Sequence, residues 1–231
     1  MRSFYDSNIN NSSNTHTLSE EESKHIIRSL RMANGDSLIV LDGKGNSFEC
    51  EIKNDHPKKC ELEIVKVNQT SEPKFEIHIA VAPTKQTERI EWFIEKATEI
   101  GLTEFTPIQC SNSERSKIKT ERLTKKAISA MKQSQRLFLP KINELSDIKT
   151  FISNHPNGLI AHCYDTERSS LSKSFKAINC PIIIGPEGDF TKEEIDFALE
   201  NGYKTITLGD NRLRTETAAL YSCMQAKMMS E

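Results

Sequence analysis

From Phe75 onward the chain alternates short apolar runs with stretches of helical period. That rhythm calls for an α/β layer, because strands that alternate with helices pair in parallel and need helices on both faces of the sheet. Residues 75–81 read as a strand and 88–100 as a helix, with Ile90, Phe93, Ile94, Ala97 and Ile100 on one face and Gly101 placed to end it. Strands follow at 105–108, 159–163, 182–184 and 205–208, and helices at 120–137, 192–200 and 217–229.

Before Pro73 the pattern differs. Ser19 and Glu22 form a capping box, which predicts a helix through Ile26, Ile27 and Leu30 that stops near Asn34-Gly35. Alternating runs at 38–41, 48–52 and 62–67 read as strands, the first two joined by the turn Asp42-Gly43-Lys44-Gly45-Asn46. Residues 8–17 are polar and read as a loop, and 68–73 as a linker. The expected organisation is a small β-barrel over residues 1–72 and an α/β domain with a parallel sheet over 73–231.

Thirty-one basic and 33 acidic side chains leave a formal net charge of −2. Bulk charge therefore cannot hold nucleic acid, and any such binding must come from a local patch. No apolar run is long enough to span a membrane, and the first residues carry no export signal, so a cytoplasmic protein is expected. The six cysteines are scattered, with no Cys-x-x-Cys pair and no histidine cluster beside them; reduced thiols are expected, with no metal.

Two loops can carry chemistry. Ile184-Gly185-Pro186-Glu187-Gly188-Asp189-Phe190 follows a buried strand, and Thr191 with Glu194 then caps a helix, stapled by Phe190 and Ile195. Ligands bind α/β sheets at this edge, where glycine lets them approach the backbone. A lone Gly-x-x-Gly favours a plain turn; a carboxylate at its centre shifts the balance toward a site. Residues 208–219 follow the last strand and open the last helix, with Arg212 and Arg214 placed to hold an anion or polarise a carbonyl. A helix start with surface arginines accounts for that string equally well.

Charge supplies a third feature. Between Arg115 and Lys141 lie nine basic residues and one acid, Glu121. Such runs are usually solvated helix faces, yet in a slightly acidic chain this segregation suits a phosphate backbone. Lys85, Glu91, Glu95, Lys96 and Glu99 read instead as surface ion pairs of an amphipathic helix.

Arg2-x-Phe4, Glu91-x(4)-Lys96-Ala97-Thr98-Glu99-x-Gly101, Ser113-Glu114-Arg115-Ser116, Gln133-Ser134-x-Arg136-x(3)-Pro140 and the two loops occur in one order along the whole chain. In these strings the chain resembles the bacterial methyltransferases that modify N3 of a uracil in 16S rRNA of the small ribosomal subunit. The resemblance implies a PUA-like N-terminal β-barrel and a C-terminal SPOUT domain, an α/β fold closed by a trefoil knot. It implies S-adenosyl-L-methionine as cofactor and a homodimer joined through the C-terminal domain. Its cofactor set maps to His162, Ile184, Gly185, Pro186, Glu187, Gly188, Leu208, Gly209, Leu213, Arg214, Thr215 and Ala218, with a side chain at Gly188 expected to push into the adenosyl group. Arg136, Arg214 and Glu187 map to catalysis; Arg2, Lys85, Arg115, Ser116, Lys119, Lys125, Lys126 and Arg136 map to RNA binding. Ribose 2′-O methylation and a non-catalytic RNA-binding protein are the alternatives. The chain departs from the family pattern at Asp189, usually glycine, and at Asn211-Arg212, where the family places its arginine one residue earlier.

Overall fold

The computed structural model describes residues 2–176 and 178–230. The chain forms two compact units, Met1–Glu72 with Met131–Leu139, and Pro73–Ala130 with Pro140–Glu231.

The first unit contains β1 (Ser3–Tyr5), β2 (Thr15–Thr17), α1 (Glu20–Lys24), β3 (Ser37–Leu41), β4 (Asn46–Asn54) and β5 (Glu61–Gln69). Its sheet runs β1-β3-β4-β5-β2, antiparallel except for the parallel β1–β3 pair. Alternation turns Leu38, Val40, Phe48, Cys50, Ile52 and Leu62 to one face, where Phe4 and Ile26 join them. The two edge strands are tied by His16, whose ring nitrogen lies 3.0 Å from an Asp6 carboxylate oxygen; the bond holds the Asp6 carboxyl below its ordinary value against the opposing effect of burial. Part of the polar stretch read as a loop is thus β2, too short to show a period. Asp42 builds the predicted turn by accepting from the backbone of Lys44 and Asn46 at 2.7 and 3.0 Å.

The expected N-terminal helix ends early. Ser19 accepts from the Glu22 amide at 3.3 Å, but the Glu22 carboxylate pairs with Lys132 at 3.2 Å instead of closing the capping box. A π-helical stretch, His25–Ser29, follows α1, and Arg31 turns the chain out at φ +56°.

The second unit contains β6 (His78–Val81), α2 (Thr87–Ile100), β7 (Glu104–Gln109), α3 (Thr120–Ser134), β8 (Lys141–Ile142), β9 (Ser146–Asp147), α4 (Ile148–Asn154), β10 (Leu159–Ala161), β11 (Ser169–Ser170), α5 (Leu171–Ser174), β12 (Ile182–Ile184), α6 (Lys192–Glu200), β13 (Lys204–Thr207) and α7 (Thr215–Ser230). The last turn of α3 belongs to the first unit. Helix α3 stops three residues short of expectation, because Gln135 is left-handed at φ +56°.

The sheet order is β11-β13-β10-β12-β6-β7-β8, with β9 also beside β7, and every pairing is parallel. Strand β12 is three buried isoleucines, as a central strand covered on both faces requires. One core layer gathers Ala80, Ile108, Phe151, Ile152, Ile160, Ile183, Phe190 and Ile195. Parallel strands put the loops after β6, β7, β10, β12 and β13 at one edge. From β13 the chain crosses back past β10 and β12 to lay α7 on α2, β6 and β12.

Candidate active site

A cavity of about 380 Å³ opens at this edge. Eleven residues of the expected cofactor set line it: His162, Ile184, Gly185, Pro186, Glu187, Leu208, Gly209, Leu213, Arg214, Thr215 and Ala218. Gly188 is not among its lining residues, and a Cβ there would meet the Asn112 side chain at 3.2 Å. Arg89, Cys163 and Arg168, unassigned by the sequence, line the cavity as well, together with Asp189, Asn211 and Arg212 of the two predicted loops.

The loop after β12 is pinned from several sides. Thr191 and Glu194 close the predicted capping box. Glu194, buried, also accepts from the Ser111 amide at 2.7 Å and hydroxyl at 3.0 Å, which ties in the loop after β7. The Thr215 hydroxyl donates to the Gly185 carbonyl at 3.1 Å and fixes the start of α7 against it. Gly185 itself is set by packing: a Cβ would lie 2.9 Å from the ring of fully buried Phe190.

His162 ends the strand run of β10 inside the cavity wall. It is 5% exposed, and neither ring nitrogen has a hydrogen-bond partner. Burial lowers its pKa, opposed by Asp189 and reinforced by Arg168, so the imidazole is neutral and offers one donor and one acceptor to a ligand. Arg168 is committed to the His162 carbonyl at 2.7 Å. Glu187 is exposed and accepts from the Lys85 amide at 3.4 Å; Arg115 donates to the Lys85 carbonyl at 2.6 Å, and the Lys85 ammonium pairs with Glu114 at 3.2 Å. Arg214 and Arg212 are exposed and make no side-chain hydrogen bond or ion pair among the described residues. Arg136 belongs to the first unit and is not among the cavity's lining residues.

The basic segment is less free than its count. Arg122 forks onto buried Glu91, with one bond of 3.0 Å, and Lys141 pairs with Glu104 at 2.9 Å. Lys132 is taken by Glu22. Of the predicted surface pairs, Lys96 does join Glu95 and Glu99, whereas Glu91 is buried. Lys117, Lys119, Lys125 and Lys126 make no ion pair among the described residues.

A family model described as an RNA methyltransferase domain matches residues 70–227, and one described as an RNA methyltransferase PUA domain matches residues 18–65. The chain belongs to the RNA methyltransferase family. Ribosomal RNA small subunit methyltransferase E of Rickettsia conorii is 30% identical over 99% of this chain and 95% of its own length. The protein of the same name from Bacillus subtilis is 28% identical, over 94% and 91%. The crystal structure of a probable rRNA-methyltransferase from Porphyromonas gingivalis superposes with a TM-score of 0.91 at 39% identity, covering 100% of this chain and 98% of that one. The expected fold class, an α/β domain on a parallel sheet with a PUA-like β-domain before it, holds.

Within this family fold the two departures acquire a physical reading. Asp189 sits at φ +63°, where glycine is usual and aspartate is among the better-tolerated alternatives. Its carboxylate accepts from the Cys163 amide at 2.8 Å and the Phe190 amide at 2.9 Å, binding the loops after β10 and β12 together. Asn211 and Arg212 both line the cavity, so the arginine moved by one residue still reaches it. All six cysteines are free, and only Cys163 is exposed. Among the described residues no His, Cys, Asp or Glu cluster could hold a metal ion, and no helix is long and apolar enough to cross a membrane.

Proposed function

We propose that the chain methylates N3 of a uracil in 16S rRNA of the small ribosomal subunit, with S-adenosyl-L-methionine as methyl donor. It acts in the cytoplasm as a homodimer joined through its C-terminal unit. Residues 1–72 serve as the PUA-like RNA-binding domain and 73–231 as the catalytic domain. The observation that carries this reading is the convergence of residues from the loops after β10, β12 and β13 on one cavity. A structure of a methyltransferase from Legionella pneumophila with bound cofactor, 25% identical with a TM-score of 0.84, supports it.

The residues fit the cofactor. Ile184, Ile206, Leu208, Leu213 and Ala218 give an apolar wall for an adenine ring, and His162 brings two unpartnered ring nitrogens to the same space. S-adenosylmethionine supplies, when bound, an electrophilic methyl group on a sulfonium centre.

The chain's own task is to place the uracil and manage its proton. N3–H is a weak acid, and negative charge develops on O2 and O4 as the proton leaves. Arg214, with no partner among the described residues, donates to one of these oxygens. Glu187, held by the Lys85 amide through one carboxylate oxygen, takes the N3 proton on the other. The N3 edge is the pairing edge, so the base must be unpaired or flipped into the cavity. Arg136 as a second donor stands on the family resemblance alone. For RNA capture, Lys119, Lys125 and Lys126 offer charges not spent on ion pairs. Arg2, Lys85, Arg115 and Ser116 are the further contacts, although Arg115 and Lys85 are partly engaged with each other's loops.

For the dimer, α7 presents Tyr221, Met224 and Met228 outward, 40%, 46% and 75% exposed on one helical stripe. An apolar stripe in a helix already packed on its inner face suits a second copy. Mass spectrometry of 16S rRNA nucleosides from cells with and without the gene tests the reaction. N3-methyluridine should vanish with the gene; loss of a ribose-methylated nucleoside instead, or of none, overturns the proposal.

A further inference from the structure

Four arginines, Arg89, Arg168, Arg212 and Arg214, line the cavity against two carboxylates, Glu187 and Asp189. That balance is wrong for the proposed cofactor alone. S-adenosylmethionine carries a sulfonium, an ammonium and one carboxylate, so it is a net cation and can use at most one guanidinium well. Glu216 offsets Arg89 from 3.7 Å, but no acid pairs with Arg212 or Arg214 among the described residues. Asp189 is spent on two backbone amides, and Glu187 accepts from Lys85. Arg168 is fixed on a carbonyl.

Arg89 stands in the first turn of α2, where its Nε donates to Gln86 at 3.1 Å, and one guanidinium nitrogen lies 3.7 Å from Glu216. The pair is loose, and the second Glu216 oxygen is buried without a partner. Glu216 thus orients Arg89 without covering it. Arg212 is exposed at the cavity and partnerless among the described residues.

We infer that Arg89 and Arg212 form a phosphate-binding subsite that holds a phosphodiester next to the target nucleotide of the RNA. The inference rests on the proposed function and adds to it the group that recognises the substrate backbone inside the cavity. Guanidinium forks match phosphate oxygens, and a clamp on the adjoining phosphate fixes a flipped base in reach of Arg214.

The probe is a labelled single-stranded 16S rRNA fragment, followed by fluorescence anisotropy across a salt series. Arg89→Ala/Arg212→Ala should flatten the log–log salt slope by about 0.7, the contribution of one single-strand phosphate contact. Affinity for S-adenosylmethionine by calorimetry should stay within about twofold. Arg212→Ala alone, which removes a side chain with no partner among the described residues, should flatten the slope by part of that amount and guards against misfolding of the double variant. An unchanged slope with intact cofactor binding overturns the subsite and leaves the methyltransferase reading standing. Loss of cofactor affinity in Arg212→Ala overturns it too, because the arginine would then serve the cofactor. If the unaltered protein fails to bind S-adenosylmethionine, the functional reading falls and the subsite with it.

Discussion

Gly185→Ala separates a glycine kept for a ligand from one kept for packing. The Gly185 backbone is not left-handed, so an alanine meets no conformational strain there. Its methyl group would lie 2.9 Å from Phe190 Cε2 and 3.1 Å from Cδ2 and Cζ. Phe190 is fully buried among Ala80, Ile183 and Ile195, and it cannot recede without disturbing α6 and β12. Overpacking of this kind costs about 1–3 kcal/mol. The lost freedom of glycine in the unfolded chain offsets about 0.4–1 kcal/mol. The net loss of about 1–2 kcal/mol lowers the melting temperature by about 3–6 °C for a chain of this length. A double-mutant cycle with Phe190→Leu is the decisive assay, because a smaller residue at 190 gives the methyl room. The pair should be coupled by about 1 kcal/mol in the relieving direction. Gly188→Ala, which meets only Asn112 at 3.2 Å, should stay within about 0.5 kcal/mol of the parent. An additive cycle, or an unchanged melting temperature with lost cofactor binding, would refute the packing argument.

Four further outcomes are expected. Arg214→Ala should lower kcat by about 10²- to 10³-fold with cofactor affinity unchanged in calorimetry, as removal of a donor to developing charge does; an equal loss of cofactor binding would reassign it. Replacing Lys119, Lys125 and Lys126 with alanine should flatten the RNA salt slope by about 2; no change would make them a solvated face. Burial pushes His78 down to about 4 from 6.5, with His155 and Lys141 acting the same way and Glu104 opposing. The unfolded chain then takes up the proton first, so stability present above pH 6.5 declines by about 3 kcal/mol as pH falls toward 4. His78→Asn should flatten that decline in urea titrations, and an unaltered profile would exclude His78 as its source. Light scattering should give twice the chain mass, and Met228→Glu should shift it toward the monomer; a monomeric parent protein refutes the dimer.

What could be read from the sequence is what its neighbours along the chain determine. The Thr191–Glu194 box and the boundaries of α6 and β12 were legible because their hydrogen bonds and side-chain periods are local. Helix α4 carried the same kind of signal, with Asp147 capping Lys149 and Thr150 and with Ile148, Phe151 and Ile152 on its buried face. Its seven residues are too few to show a sustained helical period, although Pro156-Asn157-Gly158 punctuates its end. Glu22 shows the opposite case: its sequence position promises a capping box, and a lysine 110 residues away takes the carboxylate.

The site divides along the same line. Its two loops are contiguous in sequence and announce themselves. Arg89 and Arg168 reach the cavity only because parallel pairing brings the ends of β6 and β10 beside that of β12. No local pattern marks either one. Glycine spacing likewise marks the loop but not which way each glycine faces, since that depends on how the loop after β7 folds over it: Asn112 donates to the Gly188 and Asp189 carbonyls at 3.3 and 3.0 Å. Charge counting failed for a related reason. Arg122, Lys132 and Lys141 look free in sequence and are each matched by an acid from another element. The cations to weigh for RNA are those left over after such matching. By that measure the cations left are Lys117, Lys119, Lys125 and Lys126 in the basic segment, and Arg212 and Arg214 at the cavity, all without an ion pair among the described residues.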